Sequence, residues 1–108
     1  MSRTTSGKPV DKDLKTVLDV LRAKYKKDHP NAQIDARRRN NVSIRVRIID
    51  PEFAELDRVE RDNKAWSYIE HLPEDVLSQI TMLILITPQE EKTSLLNLEF
   101  EDPSPPLF

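Results

Sequence analysis

The sequence predicts an α+β domain with the order helix, strand, strand, helix, short helix, strand, built around a three-stranded mixed sheet with helices on one face. Three observations predict it. Leu14, Val17, Leu18, Leu21 and Tyr25 recur at helical spacing, and two segments with period-two alternation follow at 32–38 and 42–49. A charged helical segment carrying the sole tryptophan, Trp66, then leads into the apolar run from Ile80 to Thr87.

Composition bounds the possibilities. A chain of 108 residues is one domain by size, with 37% hydrophobic and 33% charged residues, as expected of a soluble globule. The formal net charge of -2 supplies no global field toward nucleic acid or anionic lipid, so such binding would need a local patch. With no cysteine, disulfides, thiolate metal sites and cysteine nucleophiles are excluded, which sits with a cytoplasmic location. The first residues carry no apolar core of a secretory signal, and no segment approaches eighteen apolar residues, so no membrane association is expected. The one glycine, Gly7, lies in the N-terminal tail. Phosphate-cradling loops need several glycines for close backbone approach, as does the Gly-rich clamp of nucleic-acid-binding KH domains. The chain divides into a flexible tail at 1–10, an α+β domain at 11–90 and a C-terminal extension at 91–108.

Each element has a local reason. Asp11 or Asp13 starts the first helix, Lys24, Lys26 and Lys27 suit its negative end, and Pro30 stops it. In the second alternating segment Val42, Ile44, Val46 and Ile48 share one face, with Ser43, Arg45 and Arg47 on the other. A two-residue turn at Asn40 and Asn41 would put charges on the apolar face. A three-residue loop centred on Asn40 instead pairs Ala36 with Ile44, Ile34 with Val46 and Asp35 with Arg45, and this register is expected. Pro51 ends the strand.

A helix follows to about His71, with Val59, Trp66, Ile69 and Leu72 inward and Glu60, Arg61, Asp62, Lys64 and Glu70 outward. Pro73 breaks it, and Glu74 and Asp75 open a short helix reaching Gln79. Ile80 to Thr87 reads as a strand buried on both faces and ended by Pro88. From Ser94 to Phe100, the alternation of Leu96, Leu98 and Phe100 predicts an extra edge strand or one paired with a partner.

From Leu14 to Pro88 this order resembles the BolA family, whose fold is related to the class II KH domain. The residues carrying the resemblance are Asp50, Pro51, Glu52 and Phe53 after the second strand, and the Arg58 to Asp62 segment. Trp66 stands where the family has Val-Tyr, and Thr87-Pro88 closes the match. The family also carries Phe-x-Gly after the second strand, where this chain has Phe53, Ala54 and Glu55. Its histidine before the last strand, which ligates an iron–sulfur cluster shared with a monothiol glutaredoxin, is replaced by Gln79, and a later tryptophan by Glu91. A carboxamide is a poor iron ligand beside imidazole or thiolate. The resemblance therefore implies the scaffold without its cluster, and no cofactor is expected.

No catalytic constellation is visible, and the chain is not expected to be an enzyme. His29 and His71 read as helix-end side chains, and no metal is assigned. Glu74 with Asp75, and Glu90 with Glu91, are adjacent acids on solvated segments, and Ser67 and Ser78 have no activating context. Arg37, Arg38, Arg39, Arg45 and Arg47 form the one dense basic patch, without the aromatics on which bases stack. The candidate partner or nucleic-acid surface is Arg37, Arg39, Arg45, Arg47 and Gln79. The leading expectation is a non-enzymatic protein-interaction or regulatory module that meets a protein partner or self-associates as a homodimer. The alternative is a nucleic-acid-binding accessory domain using the arginine hairpin.

Overall fold

The structure is a computed structural model and describes residues 11–102. The expected flexible tail at 1–10 and the last residues of the extension lie outside that range. Helix α1 (Lys12–Val20) starts at Asp11, whose carboxylate accepts the Leu14 N–H at 3.0 Å, so Asp11 and not Asp13 is the cap. The helix widens into a π-helical turn (Leu21–Tyr25) and ends in one further turn, α2 (Lys26–Asp28). Strands β1 (Gln33–Asn40) and β2 (Ser43–Ile49) form a hairpin, and a 3-10 turn (Pro51–Glu55) follows. Helices α3 (Arg58–Ile69) and α4 (Glu74–Leu77) lead into β3 (Ile80–Ile86). A second 3-10 turn (Pro88–Lys92) and α5 (Leu95–Glu101) complete the described chain.

The sheet has the order β1-β2-β3, with β1 and β2 antiparallel and β2 and β3 parallel. The predicted α+β class and mixed three-stranded sheet are therefore present. Parallel neighbours need a crossover, which α3 and α4 supply. The main core lies on one face, where Ile44, Val46 and Ile48 meet Val17, Leu21 and Tyr25 from the first helix, with Phe53, Ala65 and Ile69 beyond.

The hairpin register differs from the expected one. Ile34 pairs with Ile48, Ala36 with Val46 and Asp35 with Arg47, two residues along from the predicted partners. Asn40 pairs with Ser43, so the loop is the two residues Asn41 and Val42, and an irregularity between Arg38 and Asn40 absorbs the odd residue. That bulge reconciles a two-residue turn with apolar residues sharing a face, a combination an unbroken ladder forbids. Val42, expected on the apolar face, sits in the turn and is exposed.

The C-terminal segment also differs. It is a helix and not a strand, and it covers the opposite face of the sheet, so the helices are not confined to one side. Ser94 caps α5 by accepting the Asn97 N–H at 3.2 Å. Asn97 and Phe100, three residues apart, are buried, whereas Leu95, Leu96 and Leu98 are exposed. Phe100 closes a second apolar cluster with Ile49, Ile84, Ile86 and Met82.

In α3, Ile69 is buried and Leu72 beyond it is half-buried against the core, as expected. Val59 is 66% exposed and Trp66 is 41% exposed, against expectation. Ala65, Ile69 and the half-buried Tyr68 make the inner contacts in their place. Arg61, expected to face solvent, reaches inward to the carbonyls of Phe53, Leu56 and Leu85 and to Glu90.

Candidate functional site

The predicted arginine surface is largely internal structure. Arg47 is buried, donating to Asn97 Oδ1 at 2.7 Å and Asp35 Oδ2 at 2.8 Å, with Glu101 at 3.2 Å. Arg37 donates to the Phe100 carbonyl at 2.8 Å, and the guanidinium carbons of Arg37 and Arg47 lie 4.7 and 4.8 Å from the Phe100 ring centre. Arg45 lies 3.8 Å from Glu99, and Arg39 is half-buried on β1. The face expected to be open is thus roofed by α5.

Gln79 lies on the helix face and is locked in a polar cluster at the hairpin end. It accepts from Arg38 Nη1 at 2.7 Å and donates to Asp13 Oδ2 at 2.7 Å and to the Asp75 carbonyl. Arg38 also clasps Asp11 through two nitrogens, at 2.8 and 2.9 Å. The hydrogen bond from Arg38, helped by the Leu14 N–H, lowers the Asp11 carboxyl to about 2. Gln79 and the arginines do not converge on one site.

A second polar cluster, missed in the sequence, lies where β2 ends beside the end of the first helix. The Tyr25 hydroxyl donates to Asp50 Oδ2 at 2.7 Å, with both residues fully buried. Burial first, and the Asp50 carboxylate second, push the Tyr25 phenol far above its ordinary value. Asp50 Oδ1 accepts the Glu52 N–H at 2.9 Å, and His29 Nδ1 lies 2.7 Å from Glu52 Oε2. Tyr68 donates to Asp28 at 2.6 Å, and that hydrogen bond, with burial, pushes its phenol up to about 12.

Donor atoms of His29, Asp50 and Glu52 lie within 4.8 Å of one another, a set able to approach a divalent ion. Its groups are already matched internally. Both Asp50 oxygens accept hydrogen bonds, and the Lys64 ammonium lies 3.8 Å from Glu52. The cluster ties the first helix to the end of β2 and holds no unpaired nucleophile. Its sequence signal was the Asp50-Pro51-Glu52 run, in which an Asp before Pro caps the next turn.

The open surface lies along β3. Among the described residues β3 pairs only with β2, so its other edge has no strand beside it. The Ile86 carbonyl accepts from Asp50 N–H on the β2 side. Alternation back from Ile86 points the backbone groups of Leu83 and Leu85 outward, and it is broken at Thr81, an extra residue between the Ile44–Ile80 and Arg45–Met82 pairs, so that the Gln79 carbonyl also accepts on the β2 side, from the Ile44 N–H. The Leu85 carbonyl accepts from Arg61 Nη1 at 3.0 Å. No other hydrogen bond to those outward groups occurs among the described residues.

Hollows flank this edge at both ends. One, beside Ile80 to Leu83, is walled by Asp62, Asn63 and Trp66. The other, beside Leu83 to Ile86, is walled by Arg58 and Arg61 on one side and Leu95 and Leu96 on the other. Leu95 is 80% exposed, Leu96 and Trp66 are also open to solvent, and residues 80–86 carry no charge. Strand edges that stay solitary are usually blunted by a charge, a proline or a bulge; β3 carries a bulge at Thr81 and none of these from Met82 to Ile86. No helix among the described residues is long and apolar enough to cross a membrane. The chain matches no family model, no curated protein and no solved structure.

Proposed function

We propose that this chain is a non-enzymatic protein-interaction module on a BolA-like scaffold, working in the cytoplasm by accepting a strand from a protein partner at the free edge of β3. The carrying observation is the outward backbone of Leu83 and Leu85, without a partner strand, between flanking hollows with exposed apolar walls. Main-chain hydrogen bonds supply affinity in strand addition, and pockets beside the strand supply selection. The cofactor-free reading is supported by Gln79, a poor iron ligand that is already held by Arg38 and Asp13.

The nucleic-acid alternative has less support, since Arg47 is buried and Arg37 is drawn onto Phe100. Amide exchange tests the proposal. The Leu83 and Leu85 amides should exchange quickly in the isolated monomer and become protected in a complex with a bound protein. Leu83→Pro, which removes an outward N–H, should abolish capture, whereas Arg45→Glu should leave it intact. Recovery of RNA or DNA that is lost on Arg45→Glu would reverse the assignment.

A further inference from the structure

We infer that the hollow beside Ile80 to Leu83 takes a basic side chain, arginine above lysine, carried by an extended partner segment. This rests on the strand-addition reading above and names the chemistry of the strand received. Asp62 and Trp66 stand four residues apart in α3, so they share one stripe of the helix, and both are exposed. Asn63 completes that wall, while Ile80, Met82 and Leu83, all half-buried, form the facing one. Among the described residues no lysine, arginine or histidine lines the hollow. A guanidinium stacks its plane on an indole, turns its fork to a carboxylate and lays its aliphatic stem along apolar side chains. This hollow offers all three.

The other rings and charges of the chain supply the contrast. Arg37 and Arg47 lie over the Phe100 ring, Arg61 over Phe53, and Lys64 near both Tyr25 and Phe53. Tryptophan holds a cation better than any of these rings, yet no cation lies over Trp66 among the described residues. Charge along α3 follows the same division. Arg61 pairs with Glu90, Lys64 lies by Glu52, and Glu60 is taken up in the capping box with Asp57. The Asp62 carboxylate has no partner among the described residues. Arg58, one turn earlier, borders the other hollow, and an arginine ahead of an acid is the poorer order for pairing on a helix.

The free backbone brings the cation to this place. Leu83 borders both hollows, and its backbone groups point outward. A strand hydrogen-bonded there carries side chains of one face about 7 Å apart. One of them stands over Asp62 and Trp66 while the next lies toward Leu85.

Trp66 is the sole tryptophan, so its fluorescence reports on this hollow alone. Short blocked peptides of alternating threonine and valine, with arginine, glutamine or glutamate at one central position, serve as probes of the full chain. The arginine peptide should change Trp66 emission saturably, bind about ten-fold more tightly than the glutamine peptide, and weaken with added salt. Asp62→Asn, isosteric and on an exposed helix face, should remove most of that preference, whereas Arg58→Gln should retain it. Exchange of the Leu83 and Leu85 amides in the same complexes reads the strand separately.

Equal affinity for all the peptides, with those amides protected, would overturn the basic partner and leave strand addition standing. An arginine preference that Asp62→Asn removes, with the amides unprotected, would keep the basic ligand and overturn the strand. A preference for the glutamate peptide that Arg58→Gln removes would overturn the inference, as would a Trp66 emission unmoved by millimolar arginine peptide.

Discussion

Tyr25 and Asp50 share a 2.7 Å hydrogen bond between two fully buried side chains, one on the first helix and one at the end of β2. Asp50 Oδ1 is occupied by the Glu52 N–H, so the Tyr25 hydroxyl is the donor that satisfies the other oxygen. Tyr25→Phe keeps the ring against Phe53 and Tyr68 but leaves that oxygen unmatched. Urea unfolding should show a loss of about 1–3 kcal/mol, the cost of a buried acceptor without its donor. A loss below a few tenths would mean that water replaces the hydroxyl.

The Asp11–Arg38 clasp predicts acid sensitivity of a defined sign. Its folded carboxyl value lies at about 2, below the ordinary aspartate value, so the unfolded state binds the proton more readily. The stabilisation is fully present above the unfolded value and disappears as pH falls toward about 2. Glu90, lowered by its hydrogen bond from Arg61, contributes with the same sign. In carboxyl NMR titrations Arg38→Gln should return Asp11 toward its ordinary value and leave Glu90 in place.

Phe100 predicts how strongly α5 is bound. It is the one residue of α5 in the second apolar cluster, packed with Ile49, Ile84 and Ile86 and lying beneath two guanidiniums. Phe100→Ala should cost about 3–5 kcal/mol in chemical denaturation, the range for emptying an aromatic site. The amides of Ile84 and Ile86 should then exchange faster, because the roof over that face is gone.

Arg47 should behave as a structural residue. Its removal leaves the buried Asn97 oxygen without its donor, while Asp35 and Glu101 remain partly solvated. Arg47→Ala should therefore destabilise by roughly 2–3 kcal/mol in thermal or urea unfolding. An unchanged midpoint would return Arg47 to the set of free surface cations.

Much of the fold was legible because period and punctuation agreed. Leu14 to Tyr25, Ile44 to Ile48 and Ile80 to Ile86 carry unambiguous apolar patterns, with Pro51, Pro73 and Pro88 marking the ends. The hairpin register was not legible, because a bulge next to Asn40 changes the count without changing composition. Leu96, Leu98 and Phe100 suggested a strand only because one spacing was weighed. The Thr87-x-x-Glu90 capping box and the Ser94 cap were helical signals in the same segment. The arginines were identified as a cluster, but their enclosure depended on which face α5 would cover. The free β3 edge is a property of sheet order, which no local pattern states.

The π-helical turn at Leu21–Tyr25 has a consequence for how this chain tolerates change in length. There the Lys26 N–H reaches back to the Leu21 carbonyl, five residues away, so the turn holds more residues than its neighbours. Ahead of it, Val17 and Leu21 face the sheet, and beyond it Tyr25 meets Asp50 while His29 meets Glu52. The turn therefore acts as a phase adjuster between two sets of contacts, one on the sheet face and one at the end of β2. Deleting one residue inside it would leave either set intact by itself and make the two incompatible.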